Sequence, residues 1–229
     1  TPSPTLTAAA PPREPPQTTS FSVMDGAGNA VALTYTINGA FGAGVMAPGT
    51  GFLLNNEMDD FAIKPGVANM FGLVQGEANA VAPGKRPLSS MTPTIVLHDG
   101  RPALVLGSPG GPRIITTVLE VALNMIDFGM APQEAVDAPR IHHQWLPDEI
   151  FAEPQALSPD TEAALRDLGY AIKTQGPWGA AELIAVGQPE PAQEAASSGN
   201  DAAPSTRMRP GRLYGASDPR RPAGAAIGQ

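Results

Sequence analysis

One turn-forming segment, flanked by two alternating stretches, constrains the fold of this chain more than any other feature. Residues 18–38 read TTSFSVMDGAGNAVALTYTIN. The central DGAGN is rich in residues that tolerate left-handed turns, and on both sides apolar residues alternate with small polar ones. The pattern predicts a β-hairpin with residues 26–28 in its loop, so that Asp25 lies opposite Asn29.

That register decides which side chains share a face, because side chains alternate between the two faces of a strand. One face collects four apolar side chains: Phe21, Val23, Val31 and Leu33. On the other face Thr18 lies opposite Thr36, with Asn38 two residues further along. Opposed Cβ atoms are roughly 4.5–5.5 Å apart, so the sequence predicts two threonine hydroxyls within hydrogen-bonding reach.

Composition limits the classes of protein to consider. The chain has 229 residues, enough for one large domain, and a formal charge of -8, which argues against nucleic acid or an anionic membrane as the main partner. The absence of cysteine excludes a thiol nucleophile, a disulfide framework and a cysteine zinc site. No apolar run reaches the roughly 18–20 residues of a membrane span.

The threonine pair becomes chemically interesting if the chain is cut before Thr18. A threonine hydroxyl is a weak nucleophile, but an N-terminal threonine can use its own α-amine as the base. Residues 1–17 contain six prolines and no apolar periodicity, which indicates a linker or tail. We therefore expect a catalytic domain over residues 18–229.

Polar motifs follow the hairpin. Residues 55–61, NNEMDDF, come after a short strand predicted at residues 51–54, and their carboxylates suit a metal, a solvated loop or a bound amine. Residues 62–84 predict a long ordered loop, a kind of segment that is usually functional. Asp99-Gly100 predicts a second hairpin.

The sequence GSPGG at residues 107–111 leads into a helix predicted over residues 113–128 and expected to be buried between layers. The backbone amides of Gly110 and Gly111 would then lie at the positive end of this helix. A developing oxyanion binds well at such a place.

Two further expectations concern the second half of the chain. His142 and His143 are adjacent and point apart, so we expect structural roles for both. Residues 188–211 are of low complexity and predict an insertion without regular structure between the strands Glu182–Val186 and 212–215.

Taken together, these motifs resemble the small, catalytic subunit of γ-glutamyltranspeptidases. The segments that carry the resemblance are the hairpin, NNEMDDF at 55–61, KRPLSSM at 85–91, GSPGG at 107–111, RIHHQWLPDE at 140–149 and LYGASDPR at 213–220. The resemblance implies an α+β fold, the four-layer αββα sandwich of N-terminal nucleophile hydrolases, completed by a separate large subunit from the same precursor. It also implies a periplasmic or secreted enzyme that needs no cofactor and no metal.

The resemblance implies a role for each matching residue. Thr18 would be the nucleophile after autocatalytic cleavage, held by Thr36, and Gly110 and Gly111 would stabilise the oxyanion. The substrate would be glutathione or another γ-glutamyl compound, with an amino acid, a peptide or water as acceptor. The implied substrate-binding residues are Asn38, Glu57 and Asp60 for the amine, Ser89 and Ser90 for the α-carboxylate, and Phe71 at the tip of a lid formed by residues 62–84.

Phe71 departs from the family pattern, because many members have tyrosine at the lid tip. Without a hydroxyl this residue cannot hydrogen-bond to Asn38, so we expect the lid to close by apolar packing. Two alternatives are a cephalosporin or glutaryl acylase on the same scaffold and an inactive binding subunit. Asp60 favours a γ-glutamyl substrate, since a glutaryl group has no amine to pair with it.

Overall fold

The computed structural model describes residues 18–187, 208–221 and 224–228. The predicted linker at residues 1–17 lies outside the described residues, as does most of the insertion predicted at 188–211. Residues 208–211, the described end of that insertion, are held beside the end of the strand Glu182–Val186. There the Gly211 N–H donates to the Gly187 carbonyl at 2.8 Å.

The described residues form nine strands and three α-helices. The strands are β1 (Thr18–Met24), β2 (Ala30–Thr36), β3 (Thr94–His98), β4 (Arg101–Gly107), β5 (Ile141–His142), β6 (Glu149–Ala152), β7 (Ala171–Thr174), β8 (Glu182–Val186) and β9 (Leu213–Ser217). The helices are α1 (Arg113–Ile126), α2 (Pro132–Asp137) and α3 (Pro159–Asp167). Short 3₁₀ helices cover Glu57–Asp60 and Glu77–Asn79.

The first hairpin has the predicted register, with Thr18 paired to Thr36 and Met24 to Ala30. Its turn is closed by the Asp25 carboxylate, which accepts hydrogen bonds from the N–H groups of Ala27 and Asn29, both at 2.9 Å. The prediction for this element is therefore confirmed.

Three layers stack on one another. The β1–β2 hairpin packs on an antiparallel sheet of order β3-β4-β8-β9, and α1 and α2 pack on the other side of that sheet. The main core lies between this sheet and the helices; its larger buried members include Leu104, Leu106, Ile114, Val121, Val136 and Leu183. A third sheet, β5-β6-β7, lies beside α1, and α3 contacts its strand β7.

The hairpin turns its small polar face, not its apolar face, toward the second sheet. The Ser22 hydroxyl donates to the Glu182 carbonyl at 3.2 Å. A Cβ on Gly107 would crowd the Ser20 hydroxyl, so glycine leaves room for that side chain where the two sheets approach. The apolar face is open in this chain, with Val23 52% and Val31 50% exposed.

Two expectations for regular structure are wrong. No strand forms at residues 51–54; Leu53 makes only an isolated bridge to Met46, because the chain folds back on itself there. The helix predicted over 113–128 ends at Ile126 and is buried on one side only, since Leu119 remains 53% exposed. Within the described ranges, no helix is both long and apolar enough to cross a bilayer.

Candidate active site

A buried pair of threonines lies where the two hairpin strands end. Thr18 is 5% exposed, and its hydroxyl donates to Thr36 Oγ1 at 3.1 Å. The N–H of Asn38 donates to the same oxygen at 2.9 Å. Because a hydroxyl oxygen accepts two hydrogen bonds and donates one, the proton of Thr36 remains available for a group in the cavity described below.

The backbone of Thr18 is held from the other end of the chain. Arg221 Nη1 donates to the Thr18 carbonyl oxygen at 3.2 Å. The sequence interpretation did not single out Arg221. Local patterns carry no signal for this contact, because the two residues are 203 positions apart.

Asn38 has a left-handed backbone, with φ 71°, and a buried side chain. Its Nδ2 donates to the Asn56 carbonyl at 3.2 Å and to Met70 Sδ at 3.5 Å. Residues other than glycine rarely adopt a positive φ, but asparagine does so more often than most. The two side-chain contacts fix the amide within this tight turn.

Glu57 and Asp60 lie on one 3₁₀ turn and influence each other. Burial raises the pKa of Glu57 to about 7, and a hydrogen bond to Asp60 and the charge of Asp60 contribute further. Burial also raises the pKa of Asp60. A cation bound beside them would relieve this repulsion, so the turn is suited to an ammonium group.

The N-terminus of α1 presents two glycine amides. Gly110 has φ 146° and Gly111 has φ 58°, and neither N–H has a hydrogen-bond acceptor within the part of the chain that the structure describes. A Cβ on Gly111 would lie 3.1 Å from two ring carbons of Phe71. Glycine therefore permits both the backbone turn and the close approach of the phenyl ring.

A single cavity brings the predicted residues together. All predicted site residues except Gly110 line it: Thr18, Thr36, Asn38, Glu57, Asp60, Phe71, Ser89, Ser90 and Gly111. Gly110 is adjacent in sequence to the lining. Two threonines, two acidic residues, two serines and the glycine before helix α1 thus surround one small space.

The tip of the loop at residues 62–84 contributes Phe71 to the lining of this cavity. The Met70 N–H donates to Asp59 Oδ2 at 3.2 Å, and Gln144 Nε2 donates to the Phe71 carbonyl at 3.5 Å. The Phe71 ring lies against Gly111, which agrees with the expected apolar packing of the lid. A polar contact to Asn38 is nevertheless present, and it comes from Met70, which the sequence interpretation did not single out.

Beneath the glycine loop lies a buried ion network that sequence reasoning missed. Arg140 pairs with Asp218 at 2.6 Å, and Arg220 pairs with Glu153 at 2.6 Å and with Asp218 at 3.1 Å. Burial alone would raise the pKa of Asp218, but the charge of Arg140 and two backbone N–H groups hold it below its usual value. The network joins two of the sequence motifs.

The network supports the loop before α1 through short contacts. Arg140 Nη1 donates to the Trp178 carbonyl at 2.8 Å, and the following Ala180 N–H donates to Ser108 Oγ at 3.1 Å. His142 is buried nearby, and its Nδ1 shares a hydrogen bond of 2.9 Å with the Thr116 hydroxyl. Neither His142 nor its neighbour His143 lines the cavity, which fits the expected structural roles.

Fold and site together define the class of protein. A hairpin that carries a threonine pair at its end, stacked on a second sheet with helices behind it, is the arrangement of N-terminal nucleophile hydrolases. A family model described as Gamma-glutamyltranspeptidase matches residues 2–228. The chain belongs to the γ-glutamyltranspeptidase family.

Individual relatives agree with this assignment. The chain is 52% identical over 221 residues to the glutathione hydrolase proenzyme of Pseudomonas sp. (strain A14), covering 95% of this chain and 36% of that protein. It therefore spans about a third of the length of this curated relative. A crystal structure of a Helicobacter pylori gamma-glutamyltranspeptidase mutant is 49% identical with a TM-score of 0.76, covering 89% of this chain and 100% of that chain.

An acylase is a more distant structural neighbour. The crystal structure of cephalosporin acylase from Bacillus halodurans is 27% identical with a TM-score of 0.65, covering 87% of this chain and 32% of that chain. The two scaffolds are thus related, while the identity to the transpeptidase is much higher.

Proposed function

We propose that this chain is the catalytic part of an autoprocessing γ-glutamyltransferase and glutathione hydrolase. The observation that carries the proposal is the Thr18–Thr36 hydrogen bond of 3.1 Å in the wall of a cavity that also contains the Glu57–Asp60 pair. A nucleophile and a site for an ammonium group are what a γ-glutamyl amide requires.

The reaction begins with cleavage of the peptide bond before Thr18, which frees its α-amine. That amine takes the hydroxyl proton as Thr18 Oγ1 attacks the γ-carbonyl carbon. Once this proton no longer lies between the two threonines, the Thr36 hydroxyl turns and donates to the attacking oxygen. The amides of Gly110 and Gly111 stabilise the tetrahedral oxyanion. The oxyanion collapses, the leaving amine takes the proton, and a γ-glutamyl ester on Thr18 remains.

Water or the amine of an amino acid or peptide then attacks this ester and releases glutamate or a new γ-glutamyl amide. The substrate α-amine is bound by Asn38, Glu57 and Asp60, and its α-carboxylate by Ser89 and Ser90. Phe71 covers the site and limits entry of water. Glutathione is the expected donor, and no cofactor takes part.

The paired carboxylates also separate this function from that of a glutaryl acylase. A glutaryl group has no α-amine, so burying Glu57 and Asp60 beside it would cost free energy without a compensating ion pair. The elevated pKa of Glu57, about 7, reflects that cost. A γ-glutamyl substrate offsets it with an ammonium group.

A large chain from the same precursor is the proposed partner. The large chain would cover the open apolar face of the hairpin, where Val23 is 52% exposed. Such a chain would supply the fourth layer of the αββα sandwich. We propose a periplasmic or secreted location for the assembled enzyme, which subcellular fractionation can check.

Cleavage and activity can be tested together. The full precursor, expressed with its large portion, should yield a small chain whose N-terminal sequence begins TTSFS and which releases the anilide from γ-glutamyl-4-nitroanilide. The Thr18→Ala precursor should stay intact and inactive. Active enzyme that retains residues 1–17 on the small chain would contradict the proposal, because Thr18 would lack a free amine.

A further inference from the structure

The sulfur of Met70 accepts hydrogen bonds from two side-chain amides, one of which, that of Asn38, lines the cavity. Asn38 Nδ2 lies 3.5 Å from Met70 Sδ, and Asn56 Nδ2 lies 3.6 Å from it. Asn56 in turn accepts the Gly39 N–H on its Oδ1 at 2.8 Å. The thioether is thus the common acceptor of two side-chain amides, and each of these residues makes a further hydrogen bond.

These contacts determine which atom of the Asn38 amide faces the cavity. An amide nitrogen has two hydrogens, and those of Asn38 point to the Asn56 carbonyl at 3.2 Å and to Met70 Sδ. Its Oδ1 has no donor among the described residues, and Asn38 lines the cavity beside Glu57 and Asp60. Rotating the amide by half a turn would forfeit both hydrogen bonds.

We infer that Met70 is a positioning residue that holds the Asn38 amide with its oxygen toward the ammonium group of the substrate. The inference rests on the proposed function and refines its substrate-binding site. With the amide reversed, the NH₂ group would face an ammonium, and two donors cannot pair. Together with the Asn56 carbonyl, Met70 therefore favours a ligand that carries an α-amine.

Met70 can do this only because the lid tip is itself fixed. Its N–H donates to Asp59 Oδ2 at 3.2 Å, and Asn69 Nδ2 donates to the Asp59 carbonyl at 3.3 Å. Asp59 lies on the same 3₁₀ turn as Glu57 and Asp60. Lid, carboxylate turn and Asn38 are thereby joined at the ammonium site.

The test compares Met70→Leu and Met70→Gln in the assembled two-chain enzyme. Leucine keeps the volume and removes the acceptor, whereas glutamine offers an amide oxygen at a similar reach. The readouts are kcat and KM for a γ-glutamyl anilide and the competitive inhibition constants of L-glutamate and of glutarate, which lacks the amine. Met46→Leu, at an exposed methionine outside the cavity, is the matched control.

Met70→Leu should raise KM and the L-glutamate inhibition constant roughly 3- to 10-fold, as expected for a weak sulfur acceptor, and change kcat less than about twofold. The glutarate constant should stay unchanged, and Met70→Gln should behave like the wild type. An unchanged L-glutamate constant in Met70→Leu, an equal loss for glutarate, or the same loss in Met70→Gln would overturn the inference. Wild-type enzyme without γ-glutamyl turnover would instead overturn the proposed function.

Discussion

At the scale of single residues, the carboxylates of Glu57 and Asp60 give the cavity lining its charge. Glu57 and Asp60 are partly buried close together; burial raises the pKa of both carboxyl groups, and the Asp60 carboxylate raises that of Glu57 further. The backbone carbonyl of Asp60, not its carboxylate, accepts from Asn79 Nδ2 at 2.7 Å. The side chain can therefore be changed without removing the contact that holds the turn.

Asp60→Asn should impair a γ-glutamyl substrate selectively. A charge-assisted hydrogen bond to an ammonium contributes about 1.5–3 kcal/mol, so kcat/KM should fall roughly 10- to 100-fold. A matched glutaryl anilide, which has no amine, should lose little or improve. The measurement is kcat/KM for both substrates with the wild type and the variant. An equal fall in kcat/KM for the two substrates would mean that Asp60 has a structural role. A higher kcat/KM of the wild type for the glutaryl anilide would favour the acylase alternative.

At the scale of elements, local patterns predicted some features and missed others for a physical reason. The hairpin register follows from one turn and alternation over seven-residue strands, so the sequence contains what fixes Thr18 opposite Thr36. The Arg140–Asp218 pair joins residues 78 positions apart, and no local pattern encodes such a contact. The apolar run at 51–54 suggested a strand. A strand also needs a neighbouring strand to accept and donate its backbone hydrogen bonds, and a local pattern does not reveal whether one is present.

Helix α1 and strand β5 are joined by a hydrogen bond of 2.9 Å between Thr116 and the buried His142. Burial lowers the pKa of His142 to about 4, from an ordinary value near 6.5. The unfolded chain therefore binds a proton more readily than the folded one between these values. The stability that depends on neutral His142 is present above pH 6.5 and is lost as the pH falls toward 4.

His142→Gln should flatten this pH dependence. From pH 7 to pH 5 the wild type should lose roughly 2 kcal/mol more unfolding free energy than the variant, because only the wild type gains a proton at this position on unfolding. Urea unfolding of the assembled enzyme at both pH values measures the difference. An identical slope in His142→Gln and the wild type would refute the effect.

At the scale of the whole molecule, the apolar surface is divided between a core and an open face. Sequence alone identified Phe21, Val23, Val31 and Leu33 as one face, but composition cannot distinguish a core from a subunit interface. The structure puts small polar residues against the second sheet and leaves this face outside. The same holds for the exposed side of α1, which the sequence predicted to be buried.

Leu33→Ser tests whether the large chain covers the hairpin. Leu33 is 36% exposed in this chain, and removing its remaining apolar contact should weaken association by about 1–2 kcal/mol, a factor of roughly 5 to 30. The urea concentration at which the two chains separate should fall, as measured by size-exclusion chromatography of the cleaved enzyme. Leu168→Ser makes the same change at a residue that is 74% exposed after α3, and it should leave that concentration unchanged. Equal midpoints for the Leu33 variant and the wild type would mean that another surface holds the large chain.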